Sequence, residues 1–567
     1  MINPQTFTGE GLDETTRELI QSNIDFWEDR GLRLIKQNEM NRDFDFKWVE
    51  HQKENKVLAT LYTPKGYGPE DSKFDLRRIT NYNEYLAFYN ASARYMWQAS
   101  LIGAIPTWFS DNEPLKHRVA EYLQEGRLFG FGTSEKDHGA DLYKTESMAI
   151  QQEDGTYRLN GSKYYIGNAN IGLISAFVKF NNDDNDFGLV LTDAYDPHFK
   201  QTKQIHSSYI NTGYVGAYDY ADYPFKEEDI IARGKEGFAA ALKTVNVGKF
   251  QIGCSSSGIC THAFYECLNH SYDRWLYGAR VTDMPHVRRF YVEAYLRTVG
   301  MRLFSYRNID YFKSCTPEDQ RFHLYNPVAK MKTPAEGGRI IDILWDAVTA
   351  YGFECETYME NATRDIKGSA KLEGTAHVNL SLILKFINSY LLEPADLPII
   401  GYIEKEDDSN IFQDMQHGGL SKIKFADWRK SFELRGDLPN VKVLTKQAEA
   451  LTKLFRECPP SKEKLNDKDY MLNLGMMFTM VPYAQLIIEG ADLYEVDDAT
   501  LNQILGLYVT DFGKYAIEQM YTYSNTKEIE TILAEIISYK PAVNEDEYQS
   551  IWEENIVPLV GVYVQNK

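Results

Sequence analysis

Cysteine is scarce in this chain: six in 567 residues, at positions 254, 260, 267, 315, 355 and 458. None form a CxxC pair, and no Cys/His set has zinc-ligand spacing, so neither a disulfide scaffold nor a zinc module is expected. The six read as reduced, mostly buried thiols. Positive charge is in deficit, with 61 Lys and Arg against 82 Asp and Glu and a net charge of −21. That excludes general nucleic-acid binding but leaves room for an anionic ligand at a local basic site. Long apolar runs are missing, since no stretch approaches the ~20 uninterrupted apolar residues of a membrane span. The first twenty residues, MINPQTFTGEGLDETTRELI, have neither a basic n-region nor an apolar h-region, which makes the cytoplasm the default compartment. No GxGxxG follows a strand, and Walker A, HExxH and GxSxG motifs are absent. Internal repeats and low-complexity tracts are absent as well.

What is present reads as helices, then strands, then helices. DETTRELIQSNIDFWEDRGLRLIKQ has apolar residues at helical spacing behind an Asp13 start signal. NEYLAFYNASARYMWQASLIGAIPTWF and LKHRVAEYLQEGR continue the pattern to about 128. TYRLNGSKYYIGNA, SAFVKF, FGLVLTDAY and GAYDYADYPF are short, rich in Tyr, Val and Phe, and broken by Gly, Asn and Asp, as strands and turns are. From 237 the helical period returns, and EGFAAALKTVNVGKFQIGCSSSGICTHAFYECLNHSYDRWLYG reads as one long helix. DLPIIGYIEKEDDSNIFQ reads as a linker. The expected architecture is α+β and mostly helical. It comprises an N-terminal helical domain (1–128), a middle β domain (129–235), a C-terminal helical bundle (236–392) and an additional helical domain (393–567). Within the last, MLNLGMMFTMVPYAQLIIEGADLY (471–494) is too apolar for a surface segment and must be buried.

Three stretches, in this order, resemble the acyl-CoA dehydrogenase and acyl-CoA oxidase flavoproteins. SEKDHGAD (134–141) looks like TEPxxGSD. DGTYRLNGSKYYIGNA (154–169) looks like DGxYxLNGxKxWITNA. YGFECETYMENATRDIKGSAKLEGT (351–375) looks like GYxxExPxxRxxRDxxxxxxxEGT, and RWLYG (274–278) looks like RxxFG. The likeness covers roughly 90 to 390, so the chain resembles an extended member with an extra C-terminal helical domain.

The resemblance implies an oxidoreductase of fatty acid metabolism with FAD as cofactor. Such enzymes remove an α proton and a β hydride from an acyl thioester, on CoA or a carrier protein. Glu373 is then the catalytic base and flavin N5 takes the hydride. A lone carboxylate at the mouth of the apolar helix LSLILKFINSYLL suits that task, because partial desolvation raises a carboxyl toward working pH. On the residues alone, Glu373 reads as a structural carboxylate at a helix start. The resemblance puts Phe131, Thr133, Ser134, Tyr165 and Gly167 against the flavin. It puts Arg274 on the pyrophosphate of a neighbouring subunit, Tyr277 beside the ring, and Asp346, Thr375 and His377 elsewhere on the cofactor. Ala140, Lys249, Leu372 and Gly374 fall at substrate positions, and Gly374 removes side-chain bulk where the thioester approaches. No metal is implied. Electron-transfer flavoprotein or O2 is the implied acceptor, and a homodimer the expected assembly.

Departures from the pattern accompany these matches. Lys136 replaces a proline, Ala140 a serine, and Gly167 a threonine that touches the flavin edge, which leaves that edge open. Arg274 and Lys249 also read as ordinary solvated charges on the presumed long helix. HVRRFYVEAYLR (286–297) suits an acidic carrier or CoA phosphates, or is a solvated helix face. The rival readings are an O2-using acyl-CoA oxidase, a flavin monooxygenase of the same fold, and a non-catalytic binding or scaffold protein.

Overall fold

A computed structural model of the chain describes residues 1–139, 141–181, 183, 185–413 and 419–565. The chain divides into two compact units.

One unit spans residues 7–251 and takes in 405–413. It opens with six helices: α1 (Glu14–Asn41), α2 (Phe46–Glu54), α3 (Val57–Tyr62), α4 (Leu76–Tyr89), α5 (Ala91–Trp108) and α6 (Glu113–Gln124). The Asp13 side chain accepts from the Thr16 N–H and so caps α1, as its sequence position suggested. Among the described residues eight strands follow: β1 (Leu128–Gly132), β2 (Met148–Gln151), β3 (Tyr157–Gly167), β4 (Gly172–Phe180), β5 (Phe187–Asp193), β6 (Phe199–Gln204), β7 (Val215–Phe225) and β8 (Ile230–Arg233). They form one sheet in the order β6-β7-β3-β2-β4-β5-β8, with β1 paired in parallel to β4. Tyr157, Phe180, Tyr218, Tyr220 and Phe225 fill its core. The tyrosine-rich, alternating text therefore marks a buried sheet face, and α7 (Lys235–Gly248) closes the unit.

The other unit spans 1–6, 252–404 and 419–564. It is built on α8 (Gln251–Asp273), a hairpin of β9 (Trp275–Leu276) and β10 (Ala279–Arg280), and the long helices α9 (Pro285–Lys313) and α10 (Phe322–Val348). Next come α11 (Tyr358–Ser369), α12 (Ala376–Ile383), α13 (Trp428–Glu433) and α14 (Pro439–Glu457). The last are α15 (Lys462–Asn466), α16 (Lys468–Leu493), α17 (Asp498–Thr522), α18 (Lys527–Ser538) and α19 (Glu545–Ser550).

The expected boundary at 392/393 does not separate two cores here. α16, which holds the apolar 471–494 segment, is long and apolar enough to cross a membrane but is buried almost all round. Buried ions tie the later helices to α9 and α10. Asp511 on α17 accepts from Arg297 (2.8 Å) and Arg339 (2.8 Å), and Glu336 on α10 accepts from Arg297 (2.7 Å) and Lys332 (2.6 Å). Glu489 on α16 pairs with Arg307 at 2.9 Å and accepts from Ser431 on α13 at 2.6 Å.

Three sequence expectations need correction. The presumed long helix is two, α7 and α8, broken at Lys249 and Phe250 behind the weak helix former Gly248. Arg274 lies beyond α8, at the foot of the β9–β10 hairpin. Tyr277 and Gly278 both have positive φ (53° and 84°), the conformation a two-residue hairpin turn requires. The charge run 286–297 is a solvated face only in part: His286 and Arg289 are exposed, but Arg297 is buried in the ion cluster, and Arg288 lies over the Trp552 ring and donates to Gln549.

Candidate functional site

Within the sheet-bearing unit the two glycine-interrupted motifs lie side by side. The Tyr164 N–H donates to the Ser134 carbonyl (2.9 Å), and a Cβ on Gly130 would meet the Gly167 carbonyl. Phe131, Thr133 and Ser134 are therefore brought together with Tyr165 and Gly167. Phe131, Thr133 and Ser134 are half-buried, and the Tyr165 ring is largely exposed on a backbone with φ 64°. Among the described residues the Thr133 and Ser134 side chains make no hydrogen bond. Open hydroxyls beside an exposed aromatic ring fit a flat polycyclic ligand with a polar edge, such as a flavin.

A buried ion pair fixes this loop. Glu135 accepts from the Lys163 ammonium (2.8 Å), from the Thr145 and Ser147 hydroxyls and from the Glu146 N–H. Lys163 also donates to the Phe177 carbonyl at 2.6 Å, anchoring β3 to β4. Burial opposes the Glu135 charge, but Lys163 and the hydrogen bonds outweigh it and hold the carboxyl at about 2. Burial likewise pulls the Lys163 ammonium below its ordinary value.

The space beside Gly167 is not empty. A Cβ there would lie 2.9 Å from both the Ala99 Cβ and the Tyr95 hydroxyl of α5. The open edge expected from a missing threonine side chain is therefore occupied from α5. No local signal in the sequence points to Tyr95, because its partner lies 72 positions away. Lys249, expected either at the substrate or on the surface, is buried at the α7–α8 break. Ala140 lies outside the described residues.

The helical unit carries the remaining candidates. Leu372, Glu373, Gly374, Thr375 and His377 run from the end of α11 into α12. Glu373 (φ 50°) and Gly374 (φ 89°) are consecutive left-handed residues. Their turn leaves Glu373 half-buried and Thr375 and His377 exposed. A Cβ on Gly374 would meet no atom closer than 3.5 Å, so backbone conformation, not crowding, calls for glycine there. Arg274 lies close enough to His270 to depress that imidazole, an effect second to burial. His270 in turn stacks on Tyr351 at 4.0 Å. Asp346 is exposed on the last turn of α10, just before Tyr351. Tyr277 is 99% exposed at the hairpin tip.

Residues 235–387 match the model of the acyl-CoA dehydrogenase C-terminal domain. The fold and this domain define an acyl-CoA dehydrogenase-like flavoprotein oxidoreductase, a class whose cofactor is FAD. The chain is 22% identical over 375 residues to the short-chain specific acyl-CoA dehydrogenase of Megasphaera elsdenii, covering 65% of this chain and 97% of that protein. It is 21% identical over 295 residues to the CarC subunit of the caffeyl-CoA reductase-Etf complex of Acetobacterium woodii, covering 50% and 74%. Among solved structures, butyryl-CoA dehydrogenase of Megasphaera elsdenii superposes with a TM-score of 0.60 at 21% identity, over 66% of this chain and 98% of that one. An acyl-CoA dehydrogenase from Bacillus anthracis, solved with FAD, superposes with a TM-score of 0.75 at 14% identity, over 99% and 98%. The fold of the carboxy-terminal helices is thus shared with a solved structure of matching length.

Proposed function

We propose that this chain catalyses FAD-dependent α,β-dehydrogenation of an acyl thioester, with Glu373 as the base that takes the α proton. The observation that carries the reading is the Glu373–Gly374 turn. It presents a single half-buried carboxylate at the mouth of α12, with no side chain on the following residue. A carboxylate so placed is partly desolvated, as a base working near neutral pH needs to be. The Glu373 N–H would donate to the thioester oxygen as negative charge develops there. Leu372 would line the acyl side.

FAD, when bound, supplies the acceptor for the β hydride. Phe131, Thr133, Ser134, Tyr165 and Gly167 would hold its ring, with the Tyr95 hydroxyl in place of a side chain at 167. Arg274 from a second copy of the chain would bind the pyrophosphate, since a guanidinium matches phosphate oxygens. Tyr277, Asp346, Thr375 and His377 are the positions on the helical unit that the resemblance assigns to the cofactor. A homodimer in the cytoplasm, serving fatty acid metabolism with acyl-CoA or acyl-carrier protein as substrate, is the assembly this reading requires. Electron-transfer flavoprotein would take the electrons.

Glu373→Gln keeps shape and hydrogen bonding but accepts no proton at neutral pH. Turnover is expected to fall by ~10²–10⁴-fold or more, with flavin absorbance and acyl-CoA binding retained. Wild-type-like bleaching of the flavin by acyl-CoA in this variant would overturn the assignment. Peroxide formed during aerobic turnover would identify O2 as the acceptor instead.

A further inference from the structure

We propose that Lys330 and Asn379 are positioning residues for Glu373: two buried donors that hold the carbonyls on either side of its turn. The inference rests on the reading of Glu373 as base and adds how its place is enforced.

The turn is unfavourable by itself. Glu373 is an L-residue with a side chain in the left-handed region, followed by a second left-handed residue. A conformation of this kind is strained and persists only where its surroundings over-determine it. The chain on each side is held by a buried donor. Before the turn, α11 ends at Ser369, and its last carbonyls have no partner within the helix. Lys330 of α10 is 1% exposed, and its ammonium donates to the Ser369 carbonyl (3.3 Å) and the Ala370 carbonyl (3.2 Å). After the turn, Asn379 of α12 is fully buried. Its amide donates to the Gly374 carbonyl (3.3 Å) and the Thr375 carbonyl (3.0 Å).

The chemistry of the two donors matches their places. A cation is favoured at the carboxyl end of a helix, where the carbonyl dipoles converge. An ammonium removed from water is otherwise expensive, so a neutral side chain would be the economical choice if packing alone were at issue. On the other side, Asn379 donates back to carbonyls four and five residues earlier, closing the first turn of α12 over Gly374. Between the two clamps only Lys371, Leu372 and Glu373 remain, too short a segment to relocate the carboxylate while both hold. A base displaced by ~1 Å loses on the order of 10²-fold in rate, which is what the clamps would prevent.

The test uses full-length holoenzyme and the fastest substrate among butyryl-, octanoyl- and palmitoyl-CoA. Lys330→Met keeps side-chain length and removes both bonds. Asn379→Asp keeps shape and turns the donor into an acceptor facing two carbonyls. Each is expected to lower kcat about 10- to 100-fold, with KM within about threefold and flavin content per protein unchanged, and Lys330→Arg should restore at least part of the loss. If Lys330→Met fails to fold, Asn379→Asp decides. Wild-type kcat in a folded, flavin-replete Asn379→Asp, or an equal loss in kcat/KM carried wholly by KM, would overturn the proposal. If Glu373→Gln is inactive while both variants turn over normally, positioning fails and the base assignment stands. If Glu373→Gln is itself active, the base assignment fails first.

Discussion

Asp511→Asn tests what joins the carboxy-terminal helices to α9 and α10. Asp511 is 3% exposed, and its carboxylate accepts from Arg297 and Arg339, both at 2.8 Å. Arg297 and Lys332 are buried as deeply and share Glu336. Arg339 and Arg297 also share Glu293. The three cations are thus balanced by three carboxylates drawn from three helices. Neutralising one carboxylate leaves an excess positive charge out of water. Breaking a buried pair in this way costs about 3–5 kcal/mol, and asparagine retains one acceptor, so about 3 kcal/mol is expected. A unit of roughly 300 residues has an unfolding entropy near 0.6 kcal/mol/K, so its melting temperature should fall by about 5 °C. Lys514 touches the same carboxylate at 3.2 Å but is half-exposed, and Lys514→Ala should shift melting by less than 1 °C.

The pH dependence gives an independent check. Burial opposes the Asp511 charge, but Arg297, Lys332 and Arg339 outweigh it and hold the carboxyl well below its ordinary 3.8. Glu336 is likewise held below 4.5, with burial again opposed by Lys332 and Arg297. A depressed folded value means the stabilisation is fully present above the unfolded value and lost as pH falls through the folded one. The gap between wild type and Asp511→Asn, read by scanning calorimetry, should be constant from pH 5 to 8 and narrow below about pH 4. A variant that melts within 1 °C of wild type at pH 7 would refute the role of the cluster. A gap unchanged in acid would refute its electrostatic origin.

Three further outcomes follow from the sheet-bearing unit and the hairpin. Lys163→Met strands the buried Glu135 carboxylate. It should cost about 3 kcal/mol by urea denaturation and weaken FAD retention measured by gel filtration; Glu135→Gln in the same background should recover part of the stability. Gly167→Thr should not tighten FAD, because its Cβ collides with Ala99 and Tyr95 at 2.9 Å; a loss of about 1–3 kcal/mol is expected, partly relieved by Ala99→Gly with Tyr95→Phe. Tyr277→Ser removes a fully exposed side chain, so stability should change by less than about 0.5 kcal/mol, whereas FAD affinity and dimer content, followed together by light scattering, should fall if the hairpin completes a partner's site.

The parts of this molecule legible in its sequence are those fixed by neighbours in the chain. Asp13 caps α1 through the Thr16 N–H three residues on, and the alternating tyrosines of β7 bury one face of a strand. The motif that points to Glu373 is likewise local, from the end of α11 to the start of α12. The misread parts depend on residues far apart. Arg297 resembled any charge on an amphipathic helix; what buries it is Asp511, 214 positions later. Gly167 looked like a deletion at the flavin edge until Tyr95 and Ala99 were brought up from α5. The hairpin was hidden for a different reason: Tyr-Gly is a weak turn signal, and the run before it is helical to Asp273. Lys330 combines both difficulties. It sits among apolar neighbours on α10 like an ordinary snorkelling lysine, and only the end of α11, 39 and 40 positions on, shows what its ammonium holds. The proposed base is thus written locally, while the clamps proposed to aim it come from packing between helices. For that reason a substitution at Lys330 probes the site without touching the motif that identifies it.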